Sequence, residues 1–325
     1  VSALKVLWSA QDSSDEFTSP AIVNGIVYTG SNAFEAATGK LLWSAPADSI
    51  SPAVSTGTVY IDTREGLCAY TAVAGSTLWC AGSNNYPPLA PSGAAVANGI
   101  AYYGTVVGNI YAIDAASGAQ LWSAPISSSD TASSPSVANG VVYISGDGLF
   151  AFDAKTGAPL WSSSLVGGTS APAVVGGVVY ASGNVLAALN ATTGAVIWST
   201  ALGGPLVAPN SSPAVAKGTV YIGAMAAGQH GSSSGMLFAV TARTGKTIWS
   251  ASVPSAIFSA PAVANGVVYV GTYGGTLYAF NAKTGAQLAA VAGVAGESSP
   301  TVANGMVFSE SVSQGKIFAL GVGSP

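Results

Sequence analysis

Apolar runs fill this chain from end to end, and all are of strand length, broken by glycine or serine. Val267 to Val270 and Leu277 to Phe280 are typical, with turn residues between them. Frequent turns between short apolar runs predict an all-β protein. The pattern also repeats. Trp8, Trp43, Trp79, Trp122, Trp161, Trp198 and Trp249 lie 35 to 51 residues apart, about the length of a four-stranded propeller blade. Gly39, Gly75, Gly118, Gly157, Gly194 and Gly245 each stand four residues before a Trp; after Gly285 the same position holds Ala289. A second marker runs in phase. Pro20, Pro52, Pro135, Pro172, Pro213, Pro261 and Pro300 open units, with Ala94 in the third. Four residues on come turn pairs such as Asn24-Gly25, Asn139-Gly140 and Asn304-Gly305. Three residues after each turn Gly sits an aromatic: Tyr28, Tyr60, Tyr102, Tyr143, Tyr180, Tyr221, Tyr269 or Phe308.

Each unit reads as four antiparallel strands. Strand A runs from the Pro to the turn, and Asn-Gly supplies the positive φ values of a two-residue hairpin. Strand B holds the aromatic, strand C follows, and strand D carries the Trp, as in Leu160-Trp161. Between C and D, Asp-Ala-Lys-Thr-Gly puts glycine at a left-handed position. Eight such units need a radial arrangement to bury both faces of every sheet. The eighth has strands A, B and C only, and residues 4–10 carry a lone Trp8 with no A, B or C before it. The two halves complement each other, so the N-terminal strand should complete the last blade and remove the open edges. The expected architecture is an eight-bladed β-propeller forming one domain over 1–325. Its blades fall near 18–46, 50–82, 91–126, 133–164, 169–201, 211–252, 258–292 and 298–321 plus 4–10.

Composition narrows the class. Only 7% of residues are charged, against about a quarter in ordinary domains. The polar surface must come from Ser, Thr, Asn and Gly. Nine Lys and Arg in 325 residues cannot build a phosphate-tracking stripe, so nucleic acid is not an expected partner. No apolar run reaches transmembrane length. Val1 reads as the start of a mature or excised segment. One His excludes a multi-His zinc site, and no metal site is expected. Gly231-Ser232-Ser233-Ser234-Gly235 fits the nucleophile-elbow spelling without its strand-to-helix context. Asn190-Ala191-Thr192 and Asn210-Ser211-Ser212 have the glycosylation spelling.

The segment Ala151 to Trp161, Ala-Phe-Asp-Ala-Lys-Thr-Gly-Ala-Pro-Leu-Trp, resembles the tryptophan-docking motif of the pyrroloquinoline-quinone-like (PQQ-like) propellers. Ala33 to Trp43, Ala112 to Trp122, Ala188 to Trp198 and Ala239 to Trp249 are similar, and the resemblance covers essentially the whole chain. It implies that the seven Trp are structural, each indole packing between adjacent blades. A Trp buries about 200 Å² and its N–H needs an acceptor. The family contains quinoprotein dehydrogenases and also cofactor-free assembly and sensory scaffolds. Its dehydrogenases have an adjacent Cys-Cys disulfide over the quinone, Ca²⁺ held by Glu and Asn, an Asp base and a nearby Arg. This chain has no adjacent cysteines.

Cys68 in strand C and Cys80 in strand D of the second unit face each other if the hairpin turns near Ala74, which predicts a cross-strand disulfide and an oxidising compartment. The D–A and B–C connections share one face of the disc, called here the loop face. Asp12, Asp15, Glu16, Asp48, Asp130 and Glu297 fall in D–A connections, and Asp62, Glu65 and Asp147 near B–C connections. Lys40, Lys155, Lys217, Arg243, Lys246 and Lys283 fall in the opposite turns. The disc should therefore be acidic on one face and basic on the other. Departures from the repeat, Gly82 to Ser92 and Met225 to Gly235, also map to the loop face. Candidate binding residues are Arg64, Glu65, Tyr86, Asp130, His230, Phe258, Tyr273 and Glu297. No catalytic residue and no cofactor are assigned. The expected function is an extracytoplasmic, non-catalytic binding or scaffold module whose loop face meets a protein or small-molecule ligand, as a monomer or within a larger chain or assembly. The alternative implied by the resemblance is a PQQ- and Ca²⁺-dependent dehydrogenase of alcohols or sugars, for which Arg64 is the one Arg on the right side.

Overall fold

The computed structural model describes residues 4–12, 19–45, 51–63, 66–81, 93–105, 107–126, 132–203, 207–209, 211–227 and 233–322. They form eight antiparallel sheets, seven of four strands and one of five. Among the described residues there is no α-helix, and no helix is long and apolar enough to cross a membrane. Blade 4 shows the plan: strand A is Ser136–Ala138, B Val141–Ser145, C Leu149–Asp153 and D Pro159–Ser163. Strand A of every blade touches strand A of the next, round the circle and back to the first, so the A strands line the axis and the D strands form the rim.

Local chemistry sets each turn. Asn139 and Gly140 have φ of 51° and 76°, the left-handed pair of a two-residue hairpin. In the C–D turn the Asp153 carboxylate accepts the backbone N–H of Thr156 at 2.8 Å and its hydroxyl at 2.8 Å. These bonds hold the Asp153 carboxyl below the usual range, the Thr156 hydroxyl contributing most. On the opposite face, in blades 4, 6 and 7, the serine two residues before the opening Pro ties its own blade together. Ser133 Oγ accepts Ser145 N at 2.9 Å, Ser211 Oγ accepts Gly223 N at 2.7 Å, and Ser259 Oγ bonds both N and O of Gly271.

The ring closes at its ends. Leu4–Gln11 pairs antiparallel with Lys316–Val322 as strand D of blade 8. A second closure lies near the axis, where Thr301 Oγ1 donates to Pro20 O at 2.7 Å and Ser299 N to Ser19 Oγ at 3.1 Å.

The seams between blades carry the core. Each indole N–H donates to the carbonyl of an Ala in the next blade's C–D turn, as Trp161 to Ala191 at 2.9 Å and Trp8 to Ala36 at 3.0 Å. Six tyrosines of strand B donate to the same type of carbonyl; Tyr143 reaches Ala191 at 3.0 Å. One Ala oxygen thus spends both lone pairs on an aromatic pair. The indole lies on the turn glycine: a Cβ on Gly194, whose φ is +71°, would meet Trp161 Cδ2 at 2.7 Å. That contact fixes the Gly four residues before each Trp, and the pairing holds at Gly39, Gly75, Gly118, Gly157, Gly194, Gly245 and Gly285.

One region differs from its expectation. Met225 to Gly235 reads as a loop, yet strand B of blade 6 runs to Ala227 and strand C resumes at Ser233. Val207–Pro209 adds a fifth strand against Ala224–Ala226. The extended hairpin is stabilised because its outer part also gains a partner.

Candidate functional site

Among the described residues, the loop face carries a well-formed cavity of about 540 Å³. Its walls come from the B–C turns of blades 4 and 5, the connection between those blades, and Phe258 from the connection between blades 6 and 7. Segments that far apart around a ring meet only toward its axis, so the cavity sits over the central mouth. Glycines build its walls. A Cβ on Gly167 would meet Gly146 O at 2.8 Å, and one on Gly183 would meet Gly167 N at 3.0 Å. Gly168 N donates to Gly146 O at 2.7 Å, locking two of the turns together. Asp147, Ser164, Thr169 and Asn184 line the opening and are exposed.

Two sequence candidates are brought together. Phe258 and Tyr273 meet edge to face, with ring centroids 6.3 Å apart and planes at 86°, a favoured aromatic geometry. Tyr273 is 67% exposed while Phe258 is half-buried at the cavity. Glu297 is half-buried in the connection between blades 7 and 8. Arg64, Glu65, Tyr86, Asp130 and His230 lie outside the described residues, as do Asp15, Glu16 and Asp48.

The acidic face is thinner than its sequence implies. Asp12 is buried, its carboxylate accepting from Thr29 Oγ1 at 3.1 Å and Asn32 Nδ2 at 2.7 Å. Asp62 is 4% exposed, and neither of its carboxylate oxygens meets a donor at hydrogen-bonding geometry. Burial pushes its pKa up to about 7, the nearby Thr63 N–H pulling weakly the other way. The Tyr103 hydroxyl in blade 3 is raised in turn, by burial first and by the Asp62 charge second. Of the described loop-face acids named from the sequence, Asp147 alone is exposed, while Lys40, Lys155, Lys217, Arg243, Lys246 and Lys283 are all exposed on the turn face.

Cys68 and Cys80 form the expected disulfide across strands C and D of blade 2, with Cα atoms 4.0 Å apart and the two residues directly paired in register. The bridge joins neighbouring strands within one sheet, well away from the cavity lining.

A quinone of the PQQ type is an anionic group that needs cations for its carboxylates and a carboxylate-held metal. The cavity lining holds no Lys, Arg or His among the described residues. Among those residues there is also no cluster of three His, Cys, Asp or Glu side chains able to hold a metal ion. The described groups do not fit that cofactor. Sequence reasoning missed Asn184, Ser164 and Thr169; they sit in Gly- and Ser-rich connections whose spelling matches ordinary turns.

No curated protein matches the chain as a relative. Among solved structures, BamB from Moraxella catarrhalis is similar at 19% identity, with a TM-score of 0.77 and coverage of 99% of this chain and 98% of that one. Sqt1 from Saccharomyces cerevisiae is similar at 14% identity, TM-score 0.79, covering 98% and 99%. The quinohemoprotein alcohol dehydrogenase from Comamonas testosteroni is similar at 17% identity, TM-score 0.77, covering 99% of this chain and 77% of that one. At such identities the likeness is one of fold, and it spans both a protein named for assembly and a quinone enzyme. The family profile of the outer membrane protein assembly factor BamB matches residues 5–148 and 233–322, well over half of the sequence, and the chain belongs to that family of PQQ-type propellers.

Proposed function

We propose that this chain is an extracytoplasmic, non-catalytic propeller that binds a protein partner through its loop face. The observation that carries the reading is the aromatic pair at the cavity mouth: Tyr273, 67% exposed, held edge to face by Phe258. An exposed aromatic on a rigid scaffold is the residue type that anchors protein interfaces. The disulfide supports an oxidising compartment, and the family's description as an outer membrane protein assembly factor agrees with both.

Placing a photo-crosslinking phenylalanine analogue at position 273, and separately at Lys155 on the turn face, tests this in the producing cell. A single adduct of defined mass from position 273 and none from position 155 is the expected result. Equal labelling from both faces would refute it. Adding the quinone and Ca²⁺ and following dye-linked alcohol oxidation probes the enzymatic alternative; turnover there would overturn the non-catalytic reading.

A further inference from the structure

We infer that the axial cavity is a saccharide-binding site. Its chemistry selects by elimination. Within the described lining an anionic ligand would find no Lys, Arg or His. A bound metal would need several ligands, and Asp147 is the lining's one carboxylate among the described residues. A wholly apolar ligand would strand the hydroxyls of Ser164 and Thr169 and the amide of Asn184, all exposed to the cavity.

A neutral polyhydroxylated ring meets every one of these conditions. Its hydroxyls both donate and accept, matching a carboxylate, an amide and two hydroxyls. The C–H groups on the flat side of a pyranose carry partial positive charge, which suits the electron-rich face of an aromatic ring such as Phe258. Tyr273 packs against Phe258 edge to face and holds that ring in place. The glycine walls add a further feature. Side chains are excluded at Gly167 and Gly183 by contacts of 2.8 Å and 3.0 Å, so main-chain polar groups stand at the cavity surface. The volume of about 540 Å³ falls within the usual range for small-molecule sites, about 300–1,000 Å³, and has room for a short oligosaccharide. The connections supply the ligand-contacting groups, and serine bonds hold them: Ser170 in the lining accepts from Ser182 Oγ at 2.6 Å and donates to Ser211 O at 3.0 Å, and Ser259 beside Phe258 bonds Gly271, which lowers the ordering cost of binding.

The test is calorimetric titration of the full chain with maltose, lactose, mannobiose and N,N′-diacetylchitobiose. At least one should bind saturably, and Asp147→Asn and Asn184→Ala should each weaken that binding about tenfold or more. Both residues are exposed, so the thermal midpoint should stay unchanged; Phe258→Leu should weaken binding further while keeping an apolar side chain in place. No saturation by any of the four sugars below about 50 mM overturns the assignment. So does binding that survives all three substitutions. The protein-partner reading stands or falls separately, on cross-linking from position 273.

Discussion

Seven seams between blades carry an indole seated on a glycine of the next blade; the seam between blades 7 and 8 has Ala289 where that indole would be, paired across to Ala279. The difference has a topological cause. An indole needs the next blade's C–D turn for its glycine platform and its carbonyl acceptor. Blade 8 has no such turn, because its strand C ends near the C-terminus and its strand D is Leu4–Gln11. A Trp at 289 would present an N–H to nothing. The seam is filled instead by a mainly aliphatic cluster, with Leu4, Val267, Leu277, Val307 and Leu320 buried beside Tyr269 and Phe318 and packed against Leu288 and Val291. One interruption of the repeat therefore records where the circle was joined.

The largest effect should come from removing the joint. Deleting residues 1–11 takes away Trp8, Leu4 and all of strand D of blade 8, leaving Lys316–Val322 as an open edge. Such an edge invites association with other chains. We expect loss of a single cooperative thermal transition and concentration-dependent aggregation, read by calorimetry and light scattering; an unchanged monomeric transition would contradict the closure argument.

Next come the indoles. Trp161 is half-buried, so Trp161→Ala should cost about 3 kcal/mol in urea denaturation, the low end for core aromatics, since it loses both the packing on Gly194 and the bond to Ala191. Ala289→Trp should restore nothing, and should cost about 1–3 kcal/mol through overpacking. A stabilising Ala289→Trp would mean that the missing turn is not the reason for the missing indole.

The seam between blades 2 and 3 differs from its neighbours in another way. Two residues after the strand-B aromatic, most blades place Gly or Ser; blade 2 places Asp62 and blade 8 Glu310. The pKa of Asp62 is raised to about 7 by burial, so the folded chain holds its proton more tightly than the unfolded one. Its contribution is fully present below the unfolded value of 3.8 and fades as pH rises toward about 7. At about 1.4 kcal/mol per pKa unit, the loss amounts to a few kcal/mol. Stability should fall between pH 4 and pH 8, and Asp62→Asn should flatten that slope while leaving the value at pH 4 nearly unchanged. A slope that survives the substitution would assign it to other groups.

Which of these features were legible in the sequence follows from how each is encoded. The blade count, the N-terminal closure and the Cys68–Cys80 pairing rest on strand period and turn spacing, and each is spelled locally. The loss of Trp at 289 is visible too, but its reason is not, since it depends on which blade stands beside it. Asp62 and Asp12 read as face charges because their chain position is near a connection; only packing shows that they are buried. The cavity is the least legible feature. Its lining comes from blades 4 and 5 and the connection after blade 6, and its walls depend on glycine contacts that no single segment displays. Phe258 and Tyr273 are readable as loop-face aromatics, but their edge-to-face pairing is not.

The smallest effect separates the two kinds of seam most cleanly. Tyr143 and Trp161 donate to one carbonyl, that of Ala191, at 3.0 Å and 2.9 Å. Tyr143→Phe removes one donor and leaves the other, so the oxygen stays paired and the cost should be about 1 kcal/mol. Tyr269 occupies the same place in blade 7 but faces a blade without the acceptor turn, so Tyr269→Phe should change stability by less than about 0.5 kcal/mol. Trp161→Phe also removes a single donor. Combining it with Tyr143→Phe orphans a buried carbonyl, and the double variant should lose about 1 kcal/mol more than the sum of the two single losses, within the range measured for directly coupled residues. Urea midpoints for the four variants complete the cycle. Additive losses would show that the two donors act independently, and that the shared oxygen is not what makes seven seams differ from the eighth.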